Sequence, residues 1–137
     1  MRKYYLDTCI WIDFFENRTG TKGEDFGEPA FQLLSLILAK GYSIIISDHL
    51  MQELQDSFLT GSIQLFLTEF RDSIVRVPYT FVQAEQARLI AEEKHVPYKD
   101  ALHAVLAKEH KAILVTRDKH FIKLSDVVES FDPKDLV

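Results

Sequence analysis

Four acidic side chains stand at positions where carboxylates can act together. Asp7 directly follows a predicted first strand, Glu53 lies about one and a half turns into the helix after the second strand, and Asp118 follows the fourth strand. Asp100 stands three residues into a helix that begins at Pro97. The carboxyl ends of parallel strands share one edge of a sheet, where such folds bind their ligands. Three of these acids are therefore expected at one edge.

Each carboxylate also has a simple structural explanation. An aspartate at the start of a helix contributes a few tenths to about 1 kcal/mol by capping it and interacting with its dipole. Four carboxylates in one cleft are harder to explain in this way, because like charges at close range oppose ionisation. A hard divalent cation such as Mg²⁺ or Mn²⁺ prefers oxygen ligands and removes this conflict. The cleft would then suit phosphate chemistry.

The hydrophobic periodicity predicts strands that alternate with helices. The predicted strands are 3–6, 43–46, 74–77, 112–115 and a final edge strand at Val127–Val128. The first predicted helix ends near Glu16, and the second begins at Pro29 and stops before Gly41. The third carries Leu50, Met51, Leu54 and Phe58 on one face. Three more helices are predicted over 63–70, 81–94 and Pro97 to about His110. This succession predicts an α/β fold, a three-layer α/β/α sandwich with a mainly parallel sheet of four to five strands.

The position of Asp100 raises a topological question. If its helix leads directly into the fourth strand by the usual crossover, the helix begins at the opposite edge of the sheet from the other three acids. If the two helices before that strand form a hairpin, Pro97 lies in a turn at the carboxyl edge and Asp100 joins the other acids. The spacing of the residues leaves both arrangements open.

The composition limits the classes of function. The chain has 137 residues, with 16 Lys and Arg against 21 Asp and Glu and a formal net charge of −5. This length favours one domain over residues 1–137. The acid excess argues against nucleic-acid binding through a broad basic surface. Cys9 is the single cysteine, which excludes an internal disulfide. The apolar run over 30–39 is too short to span a membrane, and we expect a cytoplasmic protein.

Several short motifs together resemble the PIN domain family, and most closely its VapC-type toxins. They are Leu6-Asp7-Thr8, Ser47 with Glu53 downstream, Asp100-Ala101-Leu102-His103, and Leu114-Val115-Thr116-Arg117-Asp118 followed by Phe121. The resemblance extends from residue 4 to about residue 122 and depends on the order and spacing of these motifs. It carries the acidic quartet of the family onto Asp7, Glu53, Asp100 and Asp118, and its supporting hydroxyl positions onto Thr8 and Thr116. It also places Asp100 at the shared acidic edge.

The resemblance implies a metal-dependent endoribonuclease that hydrolyses RNA phosphodiester bonds, as the toxin of a type II toxin–antitoxin pair. One or two Mg²⁺ or Mn²⁺ ions per site would supply the chemistry. Asp7 and Asp100 are expected as primary ligands, Glu53 as a metal ligand or a group that orients water, and Asp118 as support for a second or weaker cation. The implied partners are the RNA substrate, an antitoxin protein and a second copy of the chain in a homodimer.

Residues around Asp118 are further candidates. Thr116 would orient a carboxylate or a phosphate oxygen. Arg117 and Lys119 are expected either to contact the RNA backbone or to form a solvated charged turn. His120 stands where many relatives carry a second acid, two residues after Asp118. It would ligate Mn²⁺, donate to phosphate or cap a turn, which leaves the number of metals open.

His103 lies three residues after Asp100 and therefore on the same helical face. Three roles are open to it: steadying that carboxylate, contacting RNA, or packing in the core beside Ala104 and Ala107. The apolar residues of the first two helices also have two explanations, as core or as a remainder that packs against an antitoxin helix. They are Ile10, Trp11, Phe14, Phe15, Leu33, Leu36 and Ile37.

Three other functions compete with the nuclease. A phosphoacceptor receiver domain has a similar length and an Mg²⁺ pocket, but it needs adjacent acids after an early strand, and Asp7 is flanked by Leu6 and Thr8. Haloacid-dehalogenase phosphatases need a second aspartate two residues after the first, where this chain has Cys9. A scaffold that keeps the fold and binds RNA or protein without cutting is the third alternative.

Overall fold

The computed structural model describes residues 1–57 and 60–137. Its strands are β1 Lys3–Leu6, β2 Ser43–Ser47, β3 Ile74–Val77, β4 Ile113–Val115 and β5 Ser130–Phe131. Its α-helices are α1 Thr8–Glu16, α2 Gly27–Ala39, α3 Asp48–Asp56, α4 Thr60–Glu69, α5 Phe81–Lys94 and α6 Tyr98–Glu109. Short 3₁₀ turns occupy Arg71–Ser73, Lys119–Leu124 and Pro133–Asp135.

The five strands form one parallel sheet in the order β3-β2-β1-β4-β5. The chain builds outward from β1 through β2 to β3 and then returns to the other side of β1 as β4. The strand order therefore reverses between β1 and β4, where Leu6 pairs with Val115. In open parallel sheets, ligands bind beyond the carboxyl ends of the strands at such a reversal.

Alternating side chains of the central strands enter two separate cores. Tyr4 and Ile44 pack into a core with residues of α1 to α4, including the fully buried Trp11. Tyr5 and Ile45 point into a second core with residues of α5 and α6. Complete burial of one large apolar side chain is worth roughly 1.5–3 kcal/mol, so each face of the sheet needs its own helical layer. These layers confirm the predicted α/β/α sandwich.

Three predicted boundaries are wrong by two or more residues, and one prediction falls outside the described residues. The edge strand predicted at Val127–Val128 lies instead at Ser130–Phe131, which pairs with Leu114 and Val115 of β4. The two valines are partly buried against the second core without joining the sheet. Helix α2 begins at Gly27 rather than at Pro29. Helix α4 begins at Thr60 rather than at Ile63. Phe58, predicted on the apolar face of α3, lies outside the described residues.

Helices α5 and α6 form an antiparallel hairpin. Gln83 near the start of α5 hydrogen-bonds Glu109 at the end of α6, and the chain reverses at His95, whose φ is 57°. At the other end of α6, the Lys99 carbonyl lies 3.2 Å from Nε2 of His49, which follows β2. The first turn of α6 therefore lies at the carboxyl edge of the sheet. Of the two arrangements open for Asp100, the structure has the hairpin.

Within 1–57 and 60–137, no helix combines the length and the apolar character needed to cross a membrane.

Candidate active site

Asp7 lies at the point where the strand order reverses. It follows β1 directly and caps α1, and its side chain is buried and accepts a hydrogen bond from the Thr8 amide at 2.8 Å. The second carboxylate oxygen accepts from the Thr116 hydroxyl at 2.9 Å. The Asp7 amide donates to the Val115 carbonyl at 2.9 Å, which ties the end of β1 to the end of β4. The two central strands therefore fix this carboxylate rigidly.

Thr116 links Asp7 to a second carboxylate. Its hydroxyl donates to Asp7 and accepts from the Asp118 amide at 3.0 Å. Asp118 caps the following 3₁₀ turn and accepts from the His120 amide at 2.9 Å. A single buried hydroxyl thus sets the path of the chain between two acidic residues. This contact supports the predicted orienting role of Thr116.

Asp100 reaches the cluster from the first turn of α6. Nδ1 of His120 lies 3.0 Å from Oδ2 of Asp100 and 3.2 Å from Oδ1 of Asp118, so the imidazole bridges these acids. Burial and the nearby carboxylates of Asp7 and Asp118 together raise the pKa of Asp100 to about 6. The contact with His120 only partly opposes this rise. The carboxylates of Asp7 and Asp118 therefore lie close enough to Asp100 to oppose its ionisation.

Glu53 has the opposite electrostatic environment. Burial in the cleft would raise its pKa, but the hydrogen bond to His103 and the bond from the Thr8 hydroxyl outweigh burial and lower the pKa to about 2. The Thr8 hydroxyl donates to Oε1 at 2.8 Å, and Nε2 of His103 contacts the same oxygen. Glu53 is therefore held by protein donors and ionised throughout the physiological pH range.

A buried chain of hydrogen bonds fixes His103. Its Nδ1 lies 2.6 Å from the Tyr5 hydroxyl, which lies 2.7 Å from the Ser47 hydroxyl. The Ser47 oxygen in turn accepts from the Leu50 amide at 3.0 Å, as the N-cap of α3. Burial raises the pKa of the Tyr5 phenol, so this hydroxyl keeps its proton. The chain connects β1, β2, α3 and α6 beneath the acidic cluster.

The predicted role of His103 changes in one respect. The helical spacing suggested that it steadies Asp100, whereas the ring contacts Glu53 and lies 3.6 Å from Oδ1 of Asp7. With 1% of its surface exposed, the ring has no face on which RNA can bind. The buried position also satisfies the core interpretation, because Ala104 and Ala107 are buried beside it on α6.

Arg117 and Lys119 have different surroundings. Nε and Nη2 of Arg117 donate to the two carboxylate oxygens of Asp13 at 2.6 and 2.8 Å, and the guanidinium stacks over the Phe26 ring at 3.9 Å. Asp13 is 1% exposed, so this pair neutralises a buried charge. The guanidinium of Arg117 therefore already binds groups of the protein itself. Lys119 is exposed beside Asp118 and remains the candidate for contact with an RNA backbone.

Three residues of the site were missed at the sequence level. Tyr5 looked like an ordinary strand residue, and Asp13 like a polar interruption of an amphipathic helix. His49 lies four residues before Glu53 on α3, and its Nε2 is 3.7 Å from Oε1 of Glu53. Burial lowers the pKa of His49. The four-residue spacing was the signal that could have found it, since such residues share a helical face.

The donor set of the cleft fits a hard divalent cation. Asp7, Asp100 and Asp118 supply carboxylate oxygens, the ligands that Mg²⁺ and Mn²⁺ prefer. The pKa of Asp100 is raised by burial and by repulsion from Asp7 and Asp118, and a bound cation would offset both effects. Asp100, Asp118 and His120 also place one ligand atom each within 4.8 Å of one another. Oε1 of Glu53 is already bonded by Thr8 and His103, so an ion bound there would have to replace the direct contact with His103.

The family model described as PIN domain matches residues 4–127. The chain belongs to the PIN domain family. Its fold resembles one chain of a toxin–antitoxin complex from Klebsiella pneumoniae, with a TM-score of 0.67 and 21% identity over 95% of this chain and 97% of that one. A comparison with curated proteins finds no significant match.

Two further solved structures share this PIN fold. A chain of VapBC2 from Rickettsia felis, bound to a promoter DNA fragment, has a TM-score of 0.66 and 21% identity, over 95% of this chain and 99% of that one. A chain of FitAcB from Neisseria gonorrhoeae has a TM-score of 0.65 and 21% identity, over 96% of this chain and 98% of that one. At this identity the likeness establishes the fold alone.

Proposed function

We propose that this PIN domain protein is a metal-dependent endoribonuclease and the toxin of a toxin–antitoxin pair. The observation that carries the proposal is the convergence of Asp7, Asp100 and Asp118 at the strand-order reversal, with the pKa of Asp100 raised by burial and by the other two carboxylates. The family supports the reaction class, because PIN domains are typically nucleases. The structural neighbour from Klebsiella pneumoniae, which is part of a toxin–antitoxin complex, supports the biological setting.

The three aspartates would hold one or two Mg²⁺ or Mn²⁺ ions, with Asp7 and Asp100 as the primary ligands. A bound divalent ion lowers the pKa of a coordinated water and offsets charge that develops on the phosphate. Thr116 orients Asp7 and sets the position of Asp118, so two ligand groups are pre-positioned. Rigid placement matters because a displacement of 1 Å can cost about 100-fold in rate.

Glu53 would act on water rather than as a primary ligand. Its carboxylate stays ionised at neutral pH and is fixed by Thr8 and His103, with 18% of its side chain exposed to the cleft. An ionised, oriented carboxylate can accept a hydrogen bond from the attacking water and align it with the phosphorus atom. Tyr5 and Ser47 hold the ring of His103 and therefore act as positioning residues.

RNA would approach from the side of Lys119 and His120. Both residues are exposed, and they flank the cleft at Asp118. An ammonium group at this position would attract the phosphate backbone locally, which accommodates a protein whose net charge is −5. The cleft itself repels RNA until a cation offsets its carboxylates. Substrate binding is therefore expected to depend on the divalent ion.

The test is cleavage of a panel of single-stranded RNAs and tRNAs by purified protein with Mg²⁺ or Mn²⁺. We expect cleavage that a chelator abolishes and that Asp7→Asn reduces by at least about 1,000-fold, since a metal ligand is lost. Asp56→Asn, an exposed change on α3, is the matched control and should cleave normally. Activity that survives both the chelator and Asp7→Asn contradicts the proposal, and a lack of cleavage under all conditions favours the non-cutting scaffold.

A second assay separates the nuclease from the receiver-domain alternative. Incubation with a small phosphodonor should leave no acid-labile phosphate on the protein. A stoichiometric adduct on Asp7 would overturn the assignment. Sequencing of RNA ends after brief expression, compared with the Asp7→Asn variant, would identify the target and the cleavage sequence.

An antitoxin helix would pack beside α1 and α2. Ile10, Trp11, Leu33 and Ile37 are fully buried in the protein's own core, whereas the half-buried Phe14 stacks on Phe31 with ring centroids 6.5 Å apart. Phe31 is 54% exposed and extends this aromatic surface outward.

Co-purification with the protein encoded beside this chain tests the antitoxin interface. Phe31→Asp should weaken the complex, whereas Phe81→Asp on α5, where the phenylalanine is 79% exposed, should not. Equal effects of both substitutions would argue against this location. Sedimentation of the isolated chain would test the proposed homodimer.

A further inference from the structure

Two histidines and a glutamate meet on the inner side of the acidic cluster. His49, Glu53 and His103 each offer one ligand atom, and these atoms lie within 4.8 Å of one another. The two imidazole rings pack with centroids 4.4 Å apart. We propose that these residues form a binding site for a borderline transition-metal ion such as Zn²⁺, in addition to the Mg²⁺ or Mn²⁺ site of the proposed nuclease.

The local structure brings these donors together from two helices. His49 and Glu53 are four residues apart on α3 and share one face, with Nε2 and Oε1 3.7 Å apart. His103 projects from α6 and contacts the same Glu53 oxygen. Both histidines are buried, at 9% and 1% exposure, so the donors are shielded from competing water.

The distances approach those of a tetrahedral site. Zinc bonds of about 2.0–2.1 Å place neighbouring ligand atoms about 3.3 Å apart. The separation of 3.7 Å between His49 and Glu53 is within a few tenths of that value. Oδ1 of Asp7 lies 3.6 Å from Nε2 of His103, so the carboxylate of Asp7 would lie between this site and the proposed Mg²⁺ or Mn²⁺ site. The direct contact between His103 and Glu53 would lengthen as an ion enters between them.

The surroundings of His103 match those of a metal-ligating histidine. Such histidines usually hydrogen-bond through the other ring nitrogen, which fixes the ring. Here Nδ1 is held by the Tyr5 hydroxyl at 2.6 Å, and Nε2 points at Glu53 and Asp7. Nε2 of His49 lies 3.2 Å from the Lys99 carbonyl, and coordination would replace that hydrogen bond.

Donor chemistry distinguishes this site from the cluster of Asp7, Asp100 and Asp118. Imidazole nitrogen suits Zn²⁺ and related ions, whereas Mg²⁺ selects oxygen. The inference goes beyond the proposed function, because it requires only that the ion binds and not that RNA is cut.

The experiment titrates chelator-treated protein with Co²⁺, which has visible absorption bands that Zn²⁺ lacks. We expect one Co²⁺ per chain with the strong bands of a four-coordinate ion, displaced by Zn²⁺ and retained in excess Mg²⁺. His49→Gln and Glu53→Gln should each weaken binding by about 100-fold or more, because loss of a supporting group alone costs 10–100-fold. His110→Gln, at the end of α6 and outside both clusters, is the matched control and should bind as the unmodified protein does. His120→Gln reports instead whether Co²⁺ binds at the cluster of Asp100 and Asp118.

Native protein provides a readout that does not depend on the folding of any variant. Of the five histidines in the chain, Zn²⁺ should shift the side-chain ¹⁵N resonances of two. Bands that survive both His49→Gln and Glu53→Gln, bands lost only in His120→Gln, absence of Co²⁺ binding, or unshifted His49 and His103 resonances would each overturn the proposal. RNA cleavage is not measured, so the outcome is independent of the nuclease test.

Discussion

Replacement of Asp100 by asparagine is expected to stabilise the protein at neutral and alkaline pH. The pKa of Asp100 is about 6 in the folded protein, because of burial and the carboxylates of Asp7 and Asp118, against an ordinary value of 3.8. A folded state whose acid has a raised pKa binds more protons than the unfolded chain between these values. Stability is therefore greatest below pH 3.8 with respect to this group and is lost as the pH rises through 6.

The magnitude follows from these two values. A tenfold change in an ionisation equilibrium is worth about 1.36 kcal/mol, so the difference between 6 and 3.8 corresponds to about 3 kcal/mol at pH 8. The Asp100 side chain is 14% exposed, so solvent screening reduces this figure little. Asparagine mimics the protonated acid and removes the repulsion. Asp100→Asn should therefore raise the free energy of unfolding by up to about 3 kcal/mol at pH 8 and by almost nothing at pH 4.

Urea unfolding between pH 4 and pH 8, with a chelator to remove divalent ions, measures this effect. In thermal unfolding at pH 8, the melting temperature of Asp100→Asn should rise by up to about 12 °C, since 1 kcal/mol shifts a chain of this size by roughly 4 °C. Asp72→Asn, an exposed change, is the control and should show no pH-dependent gain. A variant no more stable than the unmodified protein at pH 8, or equally stabilised at pH 4, refutes the repulsion argument.

Three further predictions concern groups around the cluster. Tyr5→Phe removes the hydroxyl between a buried imidazole and a serine, so urea unfolding should show a loss of about 1–3 kcal/mol. Arg117→Ala leaves the charge of Asp13 buried and should lower the free energy of unfolding by about 3–5 kcal/mol in the same assay. Lys119→Ala on the surface is the control and should change it by less than about 0.5 kcal/mol. Burial, followed by the charge of Asp7, raises the pKa of Cys9 to about 12. Alkylation of Cys9 at pH 8 should therefore be slow until urea unfolds the chain. Rapid labelling of the native protein would contradict this prediction.

Strong local patterns allowed most elements to be predicted. Helix α5 has the predicted bounds of 81–94, since Thr80 and Gln83 form a capping box that defines its start. Strand β3 also has its predicted bounds, Ile74–Val77. The edge strand was misplaced because Ser130–Phe131 has only two residues and no alternating pattern. Pairing with β4, a non-local contact, decides where that strand lies.

The candidate site was predictable in its composition and less so in its connections. Strand ends marked Asp7 and Asp118 because parallel strands share a carboxyl edge. The contact between Glu53 and His103 joins residues 50 apart in the chain, and no local spacing indicates it. The pair of Asp13 and Arg117 spans 104 residues, and no local spacing indicates that the charge of Asp13 is buried.

The sequence alone determined the alternation of strands and helices, because apolar periodicity and capping residues act over a few neighbours. It also determined that acids follow the strand ends. Only the tertiary structure decided which acidic side chains repel one another and which are bonded to protein donors. The α5–α6 hairpin places Asp100 against Asp7 and Asp118, whereas Glu53 is bonded by Thr8 and His103. The physical reason is that burial and Coulomb interactions depend on separation in space, which the order of residues does not specify.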